Sequence, residues 1–162
     1  MRAIAPGKLI LSGEHAVVYG RPALAMAIDR SAVTEITTGV ETGEARVCFH
    51  LGDFQVRESY TVMALRDFQR RIRRNYELFL EGRLTIRQVL RKPIELIQYA
   101  FIIVLDGLHL KLSHGLDIRL RSNIPMGCGL GSSAAAILSV LRGIGHYFRA
   151  EFRPDWYYEY RL

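Results

Sequence analysis

One short segment of the chain concentrates glycine, serine and alanine: IPMGCGLGSSAAAIL, from Ile124 to Leu138. Three alternating glycines are followed by two serines: Gly127, Gly129, Gly131, Ser132 and Ser133. Glycine loses more conformational freedom on folding than other residues, so this spacing indicates a backbone that turns sharply or approaches another group closely. The segment lies between a predicted strand and a predicted helix, where unpaired N–H groups and the helix dipole favour an anion. A phosphate-binding loop is therefore the first chemical hypothesis.

The residues after the glycines admit two interpretations. Ser132 and Ser133 fall where the helix should begin, so each hydroxyl can cap the helix or bind a phosphate or a metal ion. The alanines that follow are strong helix formers and leave room for a nucleotide. The spacing matches neither a Walker loop, GxxxxGK[ST], nor a dinucleotide-binding GxGxxG loop. A plain turn with a serine cap before a packed helix is the alternative.

A second segment near the N-terminus helps to decide between a phosphate-binding loop and a plain turn: APGKLILSGEHAVVYGRPALAMAID, from Ala5 to Asp29. The two segments resemble, in the same order, the first motif and the phosphate-binding motif of the GHMP kinases. This family of small-molecule kinases includes galactokinase, homoserine kinase, mevalonate kinase and phosphomevalonate kinase. GEH followed by AVVYG is similar to the version of the first motif that the mevalonate kinases of the family carry.

The resemblance implies transfer of the ATP γ-phosphoryl group to the primary alcohol of (R)-mevalonate, a step of isoprenoid precursor synthesis, with Mg²⁺ as cofactor. It implies a catalytic role for Lys8 near the transferred phosphoryl group, and an acceptor pocket that includes Glu14 and His15. It also implies that Ser133 helps to hold Mg²⁺. The implied ATP phosphate cradle comprises Pro125, Gly127, Gly129, Leu130, Gly131, Ser132, Ser133 and Ala134. Such groups would meet the main needs of phosphoryl transfer, which are positioning and charge neutralisation.

Each of these assignments has a simpler structural alternative. Lys8 can be a solvated lysine after a turn, Glu14 a turn acid and His15 a core histidine. Phosphomevalonate, galactose and homoserine remain formal alternatives as acceptors, because the acceptor is implied by the resemblance alone. A protein that binds ligand without turnover is a further hypothesis.

The composition of the 162 residues, 49% hydrophobic and 23% charged, is typical of one globular domain. The net charge of +6 favours anionic partners such as nucleotides. Cys48 and Cys128 have neither a CxxC nor a Cys/His metal-site spacing, so the sequence suggests no disulfide framework and no zinc site. The most apolar stretch, Ile94 to Leu112, is interrupted by polar residues and predicts a buried helix rather than a membrane span. We therefore expect a cytoplasmic protein without a membrane partner.

Hydrophobic periodicity predicts the elements that must position the motifs. Alternating residues predict strands within 1–38, broken at Pro6-Gly7 and at Gly20–Pro22, and two more strands over 47–49 and 55–62. A helical period predicts a helix over 62–82, a short helix over 84–90 and a central helix that Pro93 opens. A strand over 115–122 then leads into the glycine loop, and a helix follows over 132–148.

This order of elements predicts an α+β domain with a mixed or antiparallel sheet packed with helices. The resemblance implies the same class, because it implies that residues 1–162 form the N-terminal, ATP-binding lobe of a GHMP kinase. That fold is shared with ribosomal and RNA-processing domains, so the fold alone does not decide the function.

A basic segment supports a different class of function, nucleic-acid binding. Nine cations fall within it: Arg66, Arg70, Arg71, Arg73, Arg74, Arg83, Arg87, Arg91 and Lys92. The apolar residues interleaved with them, Leu65, Phe68, Ile72 and Tyr76, follow core spacing, which leaves few aromatic rings to stack on bases. A solvated arginine-rich helix face is the simpler interpretation.

The resemblance also implies three features that this sequence does not match after the glycine loop. They are an acidic Mg²⁺ ligand, an aspartate that acts on the acceptor hydroxyl, and a second glycine-rich motif in a C-terminal lobe. Asp155 and Glu159 are the only acids after Glu151, and neither lies in a matching context. When catalytic groups act as a unit, removal of one group loses most of the rate enhancement that they provide together. We therefore expect that the C-terminal lobe is absent, that the chain alone has little kinase activity, and that exposed apolar surface promotes self-association.

Overall fold

The computed structural model describes residues 1–39 and 44–150, so Glu151, Asp155 and Glu159 lie outside the described residues. The strands are β1 (Arg2–Ser12), β2 (Leu24–Thr38), β3 (Arg46–Leu51), β4 (Val56–Thr61) and β5 (Leu116–Ser122). The α-helices are α1 (Val62–Leu80), α2 (Ile86–Val89), α3 (Pro93–Gly107) and α4 (Ser132–Tyr147). Short 3₁₀ turns occur at Val17–Tyr19 and Gly52–Phe54.

The five strands form one mixed sheet in the order β1-β2-β5-β3-β4. Three neighbouring pairs are antiparallel, and β3 with β5 is parallel. A parallel pair needs a long crossover connection. The chain supplies it with β4 and the helices α1, α2 and α3. The predicted α+β class, with a mixed sheet packed with helices, is confirmed.

The described helices pack against one face of this sheet. Alternate residues of the central strands are buried against them: Val47, Phe49 and Leu51 from β3, with Leu116, Ile118 and Leu120 from β5. The residues between them point to the opposite face, where Cys48, His50 and Asp117 are half-buried and Arg119 is exposed. We call this second side the open face. Its polar composition follows from the period of two in a strand.

Helix α3 is the centre of the helical layer. Ten of its 15 residues are buried, so it is enclosed almost all round. Phe101 packs edge-on against Phe49 of β3, with ring centroids 5.6 Å apart. The predicted buried helix within Ile94 to Leu112 is confirmed. Across the described ranges, we find no helix with the length and apolar character needed to cross a membrane.

Helix α4 is fixed to β2 by a buried polar contact and by a close approach. The hydroxyl oxygens of Ser139 and Thr34 lie 2.7 Å apart, and both residues are buried. A Cβ atom on Gly143 would lie 3.2 Å from Cδ1 of Ile36. Glycine in a helix interior costs about 1 kcal/mol relative to alanine. Here it allows α4 to pack closely on the strand.

One local prediction is wrong, because Pro6-Gly7 does not end the first strand. β1 runs from Arg2 to Ser12, with a shift of register between Pro6 and Lys8. β1 is an edge strand, where a proline can be accommodated, and an irregular register absorbs the local mismatch. The predicted break at Gly20–Pro22 is confirmed by the turn between β1 and β2.

A hydrogen-bonded pair ties the edge strand β4 to the helical layer. The Tyr60 hydroxyl donates to Oε2 of Glu58 at 2.6 Å, and Nε2 of Gln98 on α3 donates to the same oxygen at 3.3 Å. The Tyr60 hydrogen bond lowers the pKa of Glu58. Burial, together with the same hydrogen bond, raises the pKa of Tyr60. The ionised carboxylate with the neutral phenol is therefore the form that the fold stabilises.

We predict that Tyr60→Phe lowers the free energy of unfolding by about 1–2 kcal/mol at neutral pH, because it leaves a half-buried carboxylate short of a donor. Folding lowers the pKa of Glu58, so the ionised carboxylate stabilises the protein above its ordinary pKa of 4.5. That contribution is lost as the pH falls through the lowered value. Urea denaturation of both proteins should show the penalty shrinking below pH 4.5.

Tyr76→Phe is the matched control, because the Tyr76 hydroxyl makes no hydrogen bond to any described residue. It should change the free energy of unfolding little at either pH. A Tyr60→Phe penalty of equal size in acid and at neutral pH would contradict the role of the ionised pair.

Candidate functional site

The glycine loop, residues 123–131, connects β5 to α4 and is anchored at both ends. At its start, Oδ1 of Asn123 accepts from the Ser31 N–H at 2.7 Å, and the Asn123 N–H donates to the Ser31 carbonyl at 3.2 Å. At its end, the Leu130 carbonyl accepts from the Lys8 N–H at 3.0 Å. Residues 125–129 between these anchors are exposed. Hydrogen bonds to the sheet therefore fix both ends of the loop, and the residues between them are accessible to a ligand.

The three alternating glycines of this loop share an unusual backbone conformation. Their φ angles are 74° at Gly127, 71° at Gly129 and 72° at Gly131, in the left-handed region that other residues rarely adopt. Nothing lies within 4 Å of a Cβ built on Gly127 or Gly129, so the turning of the backbone explains these two glycines. Left-handed residues that alternate with others can turn successive N–H groups into a concavity that binds anions.

Gly131 additionally brings the loop into contact with Lys8. A Cβ atom on Gly131 would lie 2.8 Å from Cγ of Lys8, and 3.5 Å and 3.6 Å from its Cε and Cδ. The aliphatic part of Lys8 thus crosses the start of α4. Lys8 is exposed and makes no ion pair within residues 1–39 and 44–150. A lysine side chain without a counterion lies beside the positive end of a helix dipole, an arrangement that favours an anionic ligand.

The two serines are not used to cap α4. The cap position is occupied by Gly131, and no side chain accepts a hydrogen bond there. The Ala135 N–H donates to the Gly131 carbonyl at 2.9 Å and starts the helix. Neither Ser132 nor Ser133 makes a side-chain hydrogen bond to another described residue, and the first turn contains no acid. Two hydroxyls and the first-turn N–H groups are therefore available to a ligand.

A cavity of about 120 Å³ adjoins Ser132 and Ser133. Its apolar walls come from β3, the turn after it, α3, β5, the glycine loop and α4: Leu51, Phe54, Pro93, Leu96, Ile97, Leu120, Met126 and Ala136. Asp53 and Ser122 also line it, and Oδ2 of Asp53 accepts from the Ser122 N–H at 2.9 Å. An apolar cavity beside an anion-binding backbone suits a planar heterocycle joined to phosphate. The sequence analysis missed these residues, because each has the pattern of an ordinary core or turn residue.

A second cavity, of about 290 Å³, lies between β4, α1 and α3 and shares no lining residue with the first. Its charged groups already have partners. Glu58 contacts Tyr60 and Lys92, and Arg71 donates to the buried Glu95 at 3.0 Å. This cavity is larger, but nothing connects it to the glycine loop. We therefore regard the cavity beside the serines as the functional candidate.

Glu14 and His15 lie in the turn that follows β1. Both are exposed, and neither makes a hydrogen bond or ion pair with another described residue. His15 is therefore not a core histidine. The turn closes tightly at Gly13, where a Cβ atom would lie 2.6 Å from the Pro22 carbonyl oxygen. β1 thus brings Lys8 to the glycine loop, whereas no hydrogen bond or ion pair joins the side chain of Glu14 or His15 to that loop.

The same turn and the adjoining strand ends expose large apolar side chains. Their exposed fractions are high: Val17 47%, Val18 76%, Tyr19 83%, Leu24 61% and Met26 50%. The expectation of exposed apolar surface is met at this end of the sheet. Self-association through it remains a prediction.

Most cations of the basic segment are used in ion pairs within the protein. Five of its nine cations form ion pairs with acids: Arg66, Arg70, Arg71, Arg83 and Lys92. Leu65 and Ile72 are buried, and Phe68 and Tyr76 pack against the core. The rings are therefore unavailable as a stacking surface, which weakens the nucleic-acid hypothesis.

Comparison with known proteins agrees with this arrangement. The family model of the GHMP kinases N terminal domain matches residues 95–160. A mevalonate kinase of Methanocaldococcus jannaschii is 29% identical over 150 residues, which cover 93% of this chain and 41% of that protein. A mevalonate kinase of Pyrococcus furiosus is 32% identical over 156 residues, covering 94% of this chain and 41% of that protein.

Comparison of the fold also finds similarity to a mevalonate kinase. The crystal structure of the Methanococcus jannaschii mevalonate kinase superposes with a TM-score of 0.73 at 28% identity, covering 98% of this chain and 44% of that one. The chain therefore matches these relatives over nearly all its own length and spans less than half of theirs.

We predict that Gly131→Ala lowers the free energy of unfolding by about 1–3 kcal/mol, because alanine is strained at this φ and its Cβ would displace Lys8. Gly129→Ala is the matched control, since its φ is 71° but a Cβ there meets open space. Urea denaturation should show Gly131→Ala to be the more destabilising. Equal losses for the two variants would mean that the Lys8 contact contributes nothing to stability.

Proposed function

We propose that the glycine loop binds the triphosphate of ATP for phosphoryl transfer to the primary alcohol of (R)-mevalonate. The match of residues 95–160 to the GHMP kinases N terminal domain, together with the similarity to mevalonate kinases, supports this proposal. The mevalonate kinases of Methanocaldococcus jannaschii and Pyrococcus furiosus match along more than nine tenths of the chain. The observation that carries the proposal is the contact between the Lys8 side chain and Gly131 at the start of α4. That contact brings together the two motifs from opposite ends of the sequence.

The charge distribution at the loop suits phosphoryl transfer. The reaction spreads negative charge over the γ-phosphoryl oxygens, so catalysis depends on positioning and on electrostatic stabilisation. The first-turn N–H groups of α4 are rigidly held donors, and no acid in that turn opposes an anion. In the proposal these donors hold the phosphate chain, while the Lys8 ammonium stabilises charge on the transferred group. Lys8 has the catalytic role in this proposal. The residues that bind phosphate are Pro125, Gly127, Gly129, Leu130, Gly131, Ser132, Ser133 and Ala134.

The serine hydroxyls fit Mg²⁺ in chemical type, because this ion prefers hard oxygen ligands and completes its shell with water and substrate phosphates. Ser133 would hold the ion through its hydroxyl oxygen, and Ser132 would contact phosphate. When bound, the ion neutralises charge on the β- and γ-phosphates. Both side chains lie in the first turn of α4 without a competing protein partner among the described residues.

The small apolar cavity supplies a site for adenine. It shares Ser132 and Ser133 with the phosphate cradle and is walled by Phe54, Leu96 and Met126. A base seated there would be oriented by apolar contact, with Asp53 and Ser122 as the polar groups at the wall. Glu14 and His15 would contact mevalonate, whose hydroxyl groups and carboxylate suit a polar pocket. Exposure of both side chains is compatible with that role.

Binding of ATP tests the cradle directly. We predict that Ser133→Ala weakens binding of Mg-ATP by about 10-fold or more, because it removes a hydroxyl from a charged ligand. Isothermal titration calorimetry of Mg-ATP with the purified chain measures the effect. Ser59→Ala, on the open face of β4, is the matched control and should bind as the wild type does. Equal affinities in all three proteins would contradict the assignment of the loop.

Release of ADP from Mg-ATP with (R)-mevalonate tests the reaction. We expect almost no release from this chain alone, because none of its residues matches the aspartate that the family resemblance implies at the acceptor hydroxyl. A C-terminal lobe of a relative, added in trans, should raise the rate if the acceptor is mevalonate. Phosphomevalonate, galactose and homoserine are the comparison acceptors.

Lys8→Met should lower any such rate by about 100-fold or more, because it removes a cation that acts on the transition state. Turnover by the chain alone that Lys8→Met abolishes would support the kinase and disprove the need for the missing acid. Turnover that is the same in both proteins would contradict the catalytic role of Lys8.

A further inference from the structure

Three side chains with metal-binding atoms converge on the open face of the sheet: Cys48, His50 and Asp117. Sγ of Cys48 lies 3.3 Å from Nε2 of His50. Oδ1 and Oδ2 of Asp117 lie 3.1 Å and 3.2 Å from the same nitrogen. The ligand atoms of all three residues lie within 4.8 Å of one another, and each residue is half-buried.

The strand register fixes this cluster. Cys48 and His50 are two apart on β3, so both point to the open face. Asp117 of β5 is the direct cross-strand partner of Cys48 in the parallel pair. The neighbouring positions Val47, Phe49 and Ile118 are buried on the helical side, which prevents the strands from slipping. Three potential ligands are thus held by the hydrophobic core and not by flexible loops.

The distances suit a bound metal better than a hydrogen-bonded relay. Both Sγ of Cys48 and the carboxylate of Asp117 face one ring nitrogen of His50. That nitrogen can carry a single proton, so it cannot accept from the thiol and donate to the carboxylate together. A cation among the three atoms satisfies all of them at once. Tetrahedral Zn²⁺ would hold a sulfur and a nitrogen about 3.6 Å apart, and a nitrogen and an oxygen about 3.3 Å apart.

We propose that Cys48, His50 and Asp117 bind one Zn²⁺ ion, with a water molecule as the fourth ligand. A thiolate, an imidazole and a carboxylate form a mixed donor set that suits a borderline metal such as Zn²⁺ rather than Mg²⁺ or Ca²⁺. Binding displaces the thiol proton of Cys48 to solvent. The thiolate and the carboxylate then balance the charge of the ion.

Two arginines complete the surroundings of the site. Nε of Arg119 donates to Oδ1 of Asp117 at 3.1 Å and orients the carboxylate, as outer hydrogen bonds commonly do for metal ligands. Arg57 on β4 is the cross-strand partner of His50 and belongs to the same face of the sheet. The other titratable side chain on this part of β3, Arg46, contacts Ser59 instead.

The site is separate from the glycine loop. Asp117 is at the start of β5, and the loop begins beyond its end at Ser122. A strand rises about 3.3 Å per residue, so Asp117 lies about 17 Å from the end of β5 at Ser122, where the loop begins. None of the three ligands lines the cavity beside Ser133. A bound ion would link β3 to β5, which form the one parallel pair among the described strands, and would thereby stabilise the centre of the sheet.

The test uses the purified chain, stripped of metal by a chelator and reduced without added thiol. Titration with Zn²⁺ alone should show about one equivalent bound, with a Kd of about 1 μM or tighter. Co²⁺ in place of Zn²⁺ should give the thiolate-to-cobalt absorption band that a sulfur ligand produces. Cys48→Ser and His50→Ala should each weaken binding by about 100-fold or more, because each removes a direct ligand.

The matched controls are Cys128→Ser and His109→Asn, which remove an exposed thiol and an exposed imidazole elsewhere. Both should bind Zn²⁺ as the wild type does. Zn²⁺ should also raise the Tm of the wild type, reversibly with chelator, and should leave the Tm of Cys48→Ser unchanged.

Asp117→Asn preserves the size of the side chain and removes the third proposed ligand. If another variant fails to fold, Asp117→Asn takes its place and should also weaken Zn²⁺ binding. Absence of saturable binding, or binding that survives both Cys48→Ser and His50→Ala, would overturn the proposal. No nucleotide is present in these measurements, so their outcome is independent of the proposed kinase function.

Discussion

The described helices cover a single face of the five-stranded sheet, so the strand segments beneath them have to present apolar side chains at every second position. A slip of one residue in β3 would expose Phe49 and bury His50. The register that completes the core therefore also determines which polar groups meet on the open face. On β1 the alternation is interrupted between Pro6 and Lys8. There Gly7 approaches the Leu130 carbonyl oxygen, and the edge of the sheet joins the loop.

Local patterns were sufficient for most of the fold. The helical period from Val62 onward, Pro93 at the start of α3 and the alternation in β5 all correspond to observed elements. These signals work because burial of one face imposes a period on the sequence. The glycine loop was equally visible, since a left-handed backbone at three alternate positions can hardly be built from other residues.

Features that depend on contacts between residues far apart in the sequence could not be predicted from local patterns. Nothing near Pro6 reveals that β1 continues past it, because that depends on its position at the sheet edge. The cavity beside Ser133 is assembled from residues of six segments. His50 and Asp117 are 67 positions apart, and their meeting depends on a parallel pairing that sequence periodicity does not specify. The use of Gly131 in place of a serine as the helix cap also follows from tertiary contact with Lys8.

The position of β5 in the middle of the sheet has a consequence for how the chain acquires its structure. Strands β1 and β2 form one antiparallel unit and β3 and β4 another, and each unit pairs residues that are near in sequence. β5 is the last of the described strands along the chain, and it joins both units. During synthesis each unit therefore keeps an unpaired inner edge until residue 122 has left the ribosome. Such late, non-local pairing slows folding and prolongs exposure of strand edges that attract other chains.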